Sequence, residues 1–224
     1  MTPREAFGRL LRRHGPQHWW PARTRFEIVV GALLMAQTSW ARVEESIRNL
    51  RRARLLRLED LAAADLPRLR RLVRPAGLHR AKPRRLREAC RRIRAAGGLD
   101  AFLAGDPGAA RRRLLRLEGV GEESADSILL YVASRPVFVV DAYTRRLGER
   151  LGWFRGGTYA EVQRWFRERL PADARLFNEF HALIVAHGKR HCRPRPRCPG
   201  CPLLDSCPHG QTQVYPARDS SKGR

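Results

Sequence analysis

Apolar residues recur every three to four positions along most of this chain, which is the period of an amphipathic helix. Glycine and proline stand between the periodic segments, at points where a helix would end. The only strand-like run, residues 137–140, is too short and isolated to found a sheet. The sequence therefore predicts an all-α protein, with helices at residues 26–34 continuing towards 50, 66–73, 81–93, 111–117, 124–133, 142–151, 159–170 and 174–187.

We expect these helices to form two lobes. Residues 25–136 are predicted to form a continuous helical core domain, and residues 1–24 together with 137–210 are predicted to form the second. The polar end, residues 211–224, is predicted to be disordered. The longest uncharged apolar run is too short to span a bilayer, and the N-terminus lacks the apolar segment of a signal peptide. A cytoplasmic location without a membrane partner follows as an expectation.

Charge points to the kind of partner. The chain has 45 basic and 22 acidic residues, a net charge of +23 and a pI of about 11.5. Such a field attracts polyanions, and the commonest polyanion partner is nucleic acid. The alternative is a protein whose genome simply favours arginine. Lysine is scarce, because only Lys82, Lys189 and Lys222 are present.

Residues 117–133, with the sequence LEGVGEESADSILLYVA, predict a short helix, a tight turn and a longer helix. Glycines at both ends of the turn allow the backbone to bend sharply and to approach another molecule closely. Free N–H groups of such a turn, and of the helix start that follows it, can bind a phosphate. Most turns of this kind only connect helices. The candidate phosphate-binding residues are Gly119, Val120, Gly121, Glu123 and Ser124.

The hairpin is followed by the loop Arg135-Pro136-Val137 and then by Asp141, in VVDAYTRRLGERLG. This order and spacing resembles the helix-hairpin-helix of the endonuclease III (HhH-GPD) superfamily of DNA glycosylases, from about Trp19 to Cys207. The resemblance implies double-stranded DNA with a damaged base as the partner, and Asp141 as the catalytic carboxylate. Two acidic residues beside the turn, including Glu123, depart from the usual basic character and leave phosphate binding to backbone N–H groups.

The carboxylate of Asp141 is the kind of group that glycosidic bond cleavage needs. Breaking an N-glycosidic bond develops positive charge on the sugar. A fixed carboxylate stabilises that charge and can orient or deprotonate the attacking water. The alternative is that Asp141 only caps the helix that begins at Ala142, and one residue can serve both purposes.

The absence of a lysine after the hairpin distinguishes between the two kinds of glycosylase reaction. In bifunctional members of the superfamily, a lysine on the helix after the hairpin forms a Schiff base with the sugar. The matching position here is Glu123, and no lysine lies between Lys82 and Lys189. A carboxylate cannot form an imine, because that chemistry needs an amine. The chain is therefore predicted to be a monofunctional glycosylase that uses water as the nucleophile.

The segment Trp19-Trp20-Pro21 offers flat faces to a flipped base. An N-alkylated purine is cationic, so aromatic faces attract it more strongly than a normal base. Together with the hairpin motif, this segment resembles the 3-methyladenine DNA glycosylase III branch. The adenine-mismatch branch carries a glutamate where this chain has Ala32, and is disfavoured. The alternative is that the tryptophans pack the junction between the lobes.

Two further residues are candidates for the substrate site. Gln37, in LLMAQTSW, matches a superfamily glutamine that enters the space left by the flipped nucleotide. Its amide could hydrogen-bond the orphaned base, although a glutamine at a surface helix end is an equally ordinary explanation. Lys189, in HGKRHC, matches a region near the pocket mouth and could contact a phosphate or the base.

Four cysteines follow the pattern C-x5-C-x2-C-x5-C within sixteen residues, Cys192, Cys198, Cys201 and Cys207. Zinc and a [4Fe–4S] cluster both accept four thiolates. A zinc ribbon usually has two C-x2-C pairs, whereas this loop has one. The superfamily's cluster loop has six residues in its first gap, where this chain has five. The cluster is favoured and zinc remains the alternative, while Cys90 is predicted to be a buried structural thiol.

Two other functions stay open. The first is a bifunctional, endonuclease III-like enzyme that acts on oxidised pyrimidines and cleaves the strand. The second is a non-catalytic DNA-binding module built from the hairpin and the cysteine loop. In each case we expect a monomer that associates with the nucleoid.

Overall fold

A computed structural model describes residues 1–214, and within them all regular secondary structure is helical, with no strand. This confirms the all-α prediction. Two single 3-10 turns, Arg74–Ala76 and Leu204–Ser206, supplement the α-helices. The helices are α1 Pro3–His14, α2 Arg25–Leu34, α3 Trp40–Arg52, α4 Leu58–Ala63, α5 Leu66–Leu72, α6 Ala81–Ala95, α7 Leu99–Leu103, α8 Pro107–Leu115, α9 Glu122–Tyr131, α10 Ala142–Arg150, α11 Tyr159–Arg169, α12 Ala174–Arg190 and α13 Pro208–Val214.

Helices α4 and α7 lie in segments where no helix was predicted, and the structure departs from the helix prediction at other places as well. The helix predicted to run from residue 26 towards 50 is two helices, because α2 ends at Leu34 and α3 begins at Trp40. The N-terminal helix α1 was not predicted, although Thr2 and Glu5 form a reciprocal capping box at its start. Helix α13 extends to Val214, so residues 211–214 are helical rather than disordered. The remainder of the predicted disordered tail lies outside the described residues.

The chain forms two compact units. The first, which we call the hairpin unit, is Trp20–Val137. Helix α2 has apolar residues on two faces, and each face packs into a different hydrophobic cluster. Val29 and Ala32 belong to a cluster with residues of α6 to α9. Val30 and Leu34 belong to a cluster with residues of α3 to α6.

The second unit, which we call the cysteine unit, combines Met1–Trp19 with the described residues from Phe138 onward. Helix α12 packs against α1 and α10. The core of this unit is aromatic, and the Phe138 ring stacks on the Phe166 ring with centroids 4.0 Å apart. Burying each phenylalanine stabilises the unit by about 1.5–3 kcal/mol. Among residues 1–214 no helix is both long and apolar enough to cross a membrane.

Candidate functional site

Asp141 stands at the N-terminus of α10, directly after the buried extended segment of Phe138, Val139 and Val140. One carboxylate oxygen accepts a 2.7 Å hydrogen bond from the backbone N–H of Thr144, so Asp141 is the N-cap of its helix. The residue is only 9% exposed. The capping role raised from the sequence is therefore present, and it fixes the direction of the side chain.

The extended segment before Asp141 is held by helix α11. Gln163 donates from its side-chain nitrogen to the carbonyl of Phe138 at 2.7 Å. The backbone N–H of Val140 donates to the hydroxyl of Tyr159 at 3.3 Å. These bonds satisfy backbone groups that a sheet would otherwise pair. The backbone that leads to Asp141 is therefore buried and held in place by hydrogen bonds.

His181, on α12, was not identified from the sequence. Its Nε2 lies 3.5 Å from Oδ2 of Asp141, and the two side chains are 7% and 11% exposed. That separation is long for a hydrogen bond, and we treat it as a charge contact. The only sequence signal for this residue is a histidine on the apolar face of a helix, which more often indicates core packing.

The surroundings of Asp141 keep it ionised. Burial alone would raise its pKa, but the nearby His181 ring and the hydrogen bond from Thr144 outweigh burial, so the pKa lies below the usual 3.8. An ionised carboxylate cannot act as a general acid at neutral pH. It can stabilise a neighbouring positive charge and accept a proton from water.

The hairpin turn lies in the hairpin unit, between α8 and α9. Gly119 adopts φ of +78°, and an added Cβ would lie 2.8 Å from Cδ of Arg85. Gly121 has φ of −94°, and a Cβ there would meet open space. Only Gly119 is therefore required by backbone conformation and packing. No side chain caps α9, which leaves its first N–H groups available to an anion.

The two hairpin helices are joined by a buried ion pair. Arg111, on α8, donates from Nε to Oδ1 of Asp126 on α9 at 2.7 Å. Asp126 is fully buried, and the same guanidinium contacts Glu122 at 3.2 Å. Bidentate pairing of this kind fixes geometry as well as supplying energy. The start of α9, with Glu123 and Ser124, is thereby held in a defined orientation beside the turn.

The two adjacent tryptophans belong to different units. Trp20 packs inside the hairpin unit, edge-on to Trp40 and Tyr131 at centroid distances of 5.2 and 5.4 Å. Trp20 therefore packs against residues of its own unit. Trp19 belongs to the cysteine unit, where the Nζ of Lys189 lies 5.7 Å from its ring centroid. That distance is typical of a cation–π contact.

Pro21 borders a cavity of about 380 Å³ in the hairpin unit, whose wall also includes Trp40. No sequence pattern indicated Trp40 as a site residue. Glu27, 3% exposed, forms an ion pair with Arg51 in this wall. Gln37 stands apart from it, exposed on the turn between α2 and α3 with φ of +54°. A positive φ is strained for a residue other than glycine, and such strain is frequent at functional positions.

The cysteine loop brings its four thiols around one pocket in the cysteine unit, and none of them forms a disulfide. Three of the sulfurs meet hydrogen-bonding groups. Arg150 donates to the sulfur of Cys192 at 3.3 Å, and the N–H of Gly210 donates to the sulfur of Cys207 at the same distance. Nε2 of His187 lies 3.6 Å from the sulfur of Cys201. Such donors stabilise thiolate ligands.

The four thiols line one pocket together. Within residues 1–214, no three His, Cys, Asp or Glu side chains converge closely enough to hold a single metal ion. The four sulfurs instead border a common, mainly apolar pocket. Burial raises the pKa of Cys201 to about 11, so ligand binding must release a proton. Burial also lowers the pKa of His187 to about 3, which leaves that ring neutral at physiological pH.

Comparison with known proteins agrees with this geometry. Residues 30–172 match the HhH-GPD superfamily of base excision DNA repair proteins. A Methanocaldococcus jannaschii protein named as a DNA repair glycosylase is 43% identical over 202 residues, which cover 88% of this chain and 92% of the relative.

Two solved structures share the fold. One is the H. pylori 3-methyladenine DNA glycosylase MagIII bound to 1,N6-ethenoadenine, with TM-score 0.73, 27% identity, and coverage of 85% of this chain and 98% of MagIII. The other is a non-covalent endonuclease III–DNA complex, with TM-score 0.81, 25% identity, and coverage of 96% and 99%.

Proposed function

Because the chain belongs to the HhH-GPD superfamily of base excision DNA repair proteins and is a DNA glycosylase, we propose a specific reaction for it. The enzyme hydrolyses the N-glycosidic bond of N-alkylated purines such as 3-methyladenine in double-stranded DNA. Water is the nucleophile and Asp141 is the catalytic carboxylate. The observation that carries this proposal is the buried, ionised state of Asp141 at the start of α10.

Asp141 would act on the sugar of the damaged nucleotide. As the glycosidic bond lengthens, positive charge develops on the sugar, and a fixed carboxylate in a dry site stabilises it without reorganising. The same carboxylate can accept a proton from the incoming water. A cationic alkylated base leaves easily, so the site needs no strong general acid. The low pKa of Asp141, which excludes that role, is compatible with such a substrate.

The positions of the lysines support water as the nucleophile. By the resemblance to the bifunctional glycosylases, Glu123 matches the position of their amine. Lys82 is buried in the hairpin unit, with its Nζ donating to the carbonyl of Ala76 at 2.6 Å. Lys189 lies over Trp19, and Lys222 lies outside the described residues. Since Lys189 is exposed and shares a unit with Asp141, it is the amine that a test for imine chemistry must exclude.

Substrate recognition would use the aromatic and polar residues placed above. We assign Trp19, Trp20 and Pro21 to the surroundings of the flipped base, Lys189 to the base or a phosphate, and Gln37 to the space left in the duplex. Because Trp20 packs edge-on against Trp40, we assign it a supporting role in this surface. The fold similarity to MagIII favours an alkylated purine. The similarity to endonuclease III is more extensive, with a TM-score of 0.81 against 0.73 for MagIII, and keeps the bifunctional reaction on oxidised pyrimidines as the second candidate.

DNA phosphates would bind at the hairpin, through the N–H groups of Gly119, Val120 and Gly121 and of the helix start at Glu123 and Ser124. We further propose that the four cysteines hold a [4Fe–4S] cluster, with zinc as the alternative. That cofactor would supply a rigid fold for the basic loop that contains Arg193, Arg195 and Arg197, and it would take no part in hydrolysis, which transfers no electrons. We expect a monomer to carry out the reaction.

The decisive experiment is release of bases from methylated duplex DNA, followed by chromatography. We expect 3-methyladenine among the products of the wild type and a loss of at least about 100-fold in the Asp141→Asn variant. Absence of 3-methyladenine would overturn the substrate class. If no lesion panel yields a free base and the variant binds DNA as well as the wild type, the non-catalytic binding module is the correct function.

A further inference from the structure

His187 lies on α12 in the cysteine unit and is 1% exposed. Its two ring nitrogens face different neighbours. Nε2 lies 3.6 Å from the sulfur of Cys201, and Nδ1 lies 3.2 Å from Nε2 of His14, at the end of α1. A buried imidazole with both nitrogens engaged is held in one orientation. The reaction proposed above makes no use of it.

The neighbour of His14 determines where the protons lie. Nη1 of Arg190 lies 3.1 Å from Nδ1 of His14. A guanidinium has only donors, so Nδ1 of His14 must accept. A histidine that accepts at Nδ1 is neutral and carries its proton on Nε2. His14 therefore donates from Nε2 towards Nδ1 of His187.

The same argument applies to the next ring. Since Nδ1 of His187 accepts from His14, the proton of His187 must lie on Nε2, which is the nitrogen that faces Cys201. A thiolate that binds a metal has no proton and can only accept. All three hydrogen bonds thus point the same way, from the guanidinium of Arg190 to the sulfur of Cys201.

We propose that Arg190, His14 and His187 form a directed hydrogen-bond relay that ends in an N–H donor to the Cys201 thiolate and tunes the cofactor held there. The redox part of this inference rests on the proposed [4Fe–4S] cluster. Hydrogen bonds to ligand sulfur stabilise the more negative state of a cluster and raise its reduction potential. The reduction potential would then depend on residues outside the cysteine loop, namely His14 on α1 and His187 and Arg190 on α12.

The proton positions can be measured without reference to the cofactor. In protein labelled with 15N-histidine, two-dimensional NMR distinguishes Nε2–H from Nδ1–H tautomers and from imidazolium. We expect His14 and His187 both to be neutral Nε2–H tautomers at pH 7. An Nδ1–H tautomer or an imidazolium at either position overturns the relay, whichever metal the cysteines hold.

The effect on the cofactor is tested by voltammetry of the purified protein. We expect His187→Phe to shift the midpoint potential to more negative values, and His14→Phe, which touches no sulfur, to cause a smaller shift of the same sign. In the double variant the His14→Phe change should add nothing, because the relay is already broken. His187→Gln, which keeps an N–H donor, should restore part of the potential.

Matched controls separate the relay from general effects. Arg190→Met should shift the potential as His14→Phe does, while Arg13→Met, an exposed arginine beside His14, should not. Equal effects of the two arginine variants, or additive effects of the two histidine variants, would refute the relay. Iron and inorganic sulfide are measured first. If the protein contains zinc, the cluster proposal and its redox consequence fail, and the NMR result still decides the relay.

Discussion

Oδ2 of Asp141 lies 3.5 Å from Nε2 of His181, and both side chains are buried in the cysteine unit. The histidine offsets the cost of burying a carboxylate, which in isolation would take up a proton. Asp141 also caps α10 through Thr144. One residue thus has a structural role and a proposed chemical role, and the two can be separated by the choice of substitution.

Replacing Asp141 by Asn should abolish most base release while leaving the fold intact. Asn retains an oxygen that accepts from Thr144, so the helix stays capped, whereas Asp141→Ala should cost about 1 kcal/mol of stability. We expect single-turnover rates at least about 100-fold lower for Asp141→Asn. The matched control is Asp173→Asn, which alters the N-cap of α12 in the same unit. A similar rate loss in the control would show that the effect is structural.

Replacing His181 by Leu should shift the acid limb of the pH–rate profile to higher pH. Without the histidine, burial dominates and the pKa of Asp141 rises. In the wild type that pKa is lowered below 3.8. The ionised Asp141 carboxylate therefore stabilises the folded protein above the unfolded-state pKa of about 3.9. This stabilisation is lost as the pH falls through the lower pKa of the native state. The measurement is single-turnover base release and thermal unfolding across pH, and identical profiles for both proteins would contradict the proposed contact.

The two hairpin glycines should behave differently. Gly119→Ala combines a positive φ with a clash against Arg85, and we expect it to destabilise the protein by about 1–2 kcal/mol. Gly121→Ala meets no atom and should leave the thermal midpoint unchanged. If Gly121 allows the backbone to approach a phosphate, this variant should still weaken DNA binding at fixed salt. Unchanged affinity in Gly121→Ala would remove this turn from the DNA interface.

Cys198→Ser should lose visible absorbance and DNA affinity together, because the basic loop depends on its ligand for folding. Cys90 is the control thiol. It lies in the core of the hairpin unit, and burial raises its pKa to about 12, so Cys90→Ala should retain both properties. Measurements are the absorption spectrum and binding titrations at one salt concentration. Full DNA affinity in a cofactor-free protein would disprove a role for the loop in binding.

Borohydride should trap no covalent adduct between the wild-type protein and damaged DNA. Glu123→Lys places an amine where bifunctional relatives have one, and we expect it to gain a trappable adduct. Glu122→Lys is the matched control, since Glu122 is adjacent but contacts Arg111. A wild-type adduct that disappears in Lys189→Gln would instead identify Lys189 as the nucleophile and refute hydrolysis by water.

Much of this molecule follows from local pattern. The all-α class, most helices, the hairpin turn and the four-cysteine loop depend on residues within a few positions of each other, where periodicity and turn chemistry act directly. The break between α2 and α3 was missed because Met35 to Ser39 contains neither glycine nor proline. Gln37 adopts a positive φ in this turn, and a glutamine in the sequence does not predict that conformation.

The tertiary structure alone decided which distant residues meet. His181 lies 40 positions from Asp141, and His14 lies 173 positions from His187. No local pattern encodes such pairs, and burial and pKa depend on neighbours contributed by other helices. The sequence determined that a carboxylate, a hairpin and four thiols are present in order. Packing determined that the carboxylate is charged, that Trp20 lies against Trp40 and Tyr131, and that one sulfur faces a histidine.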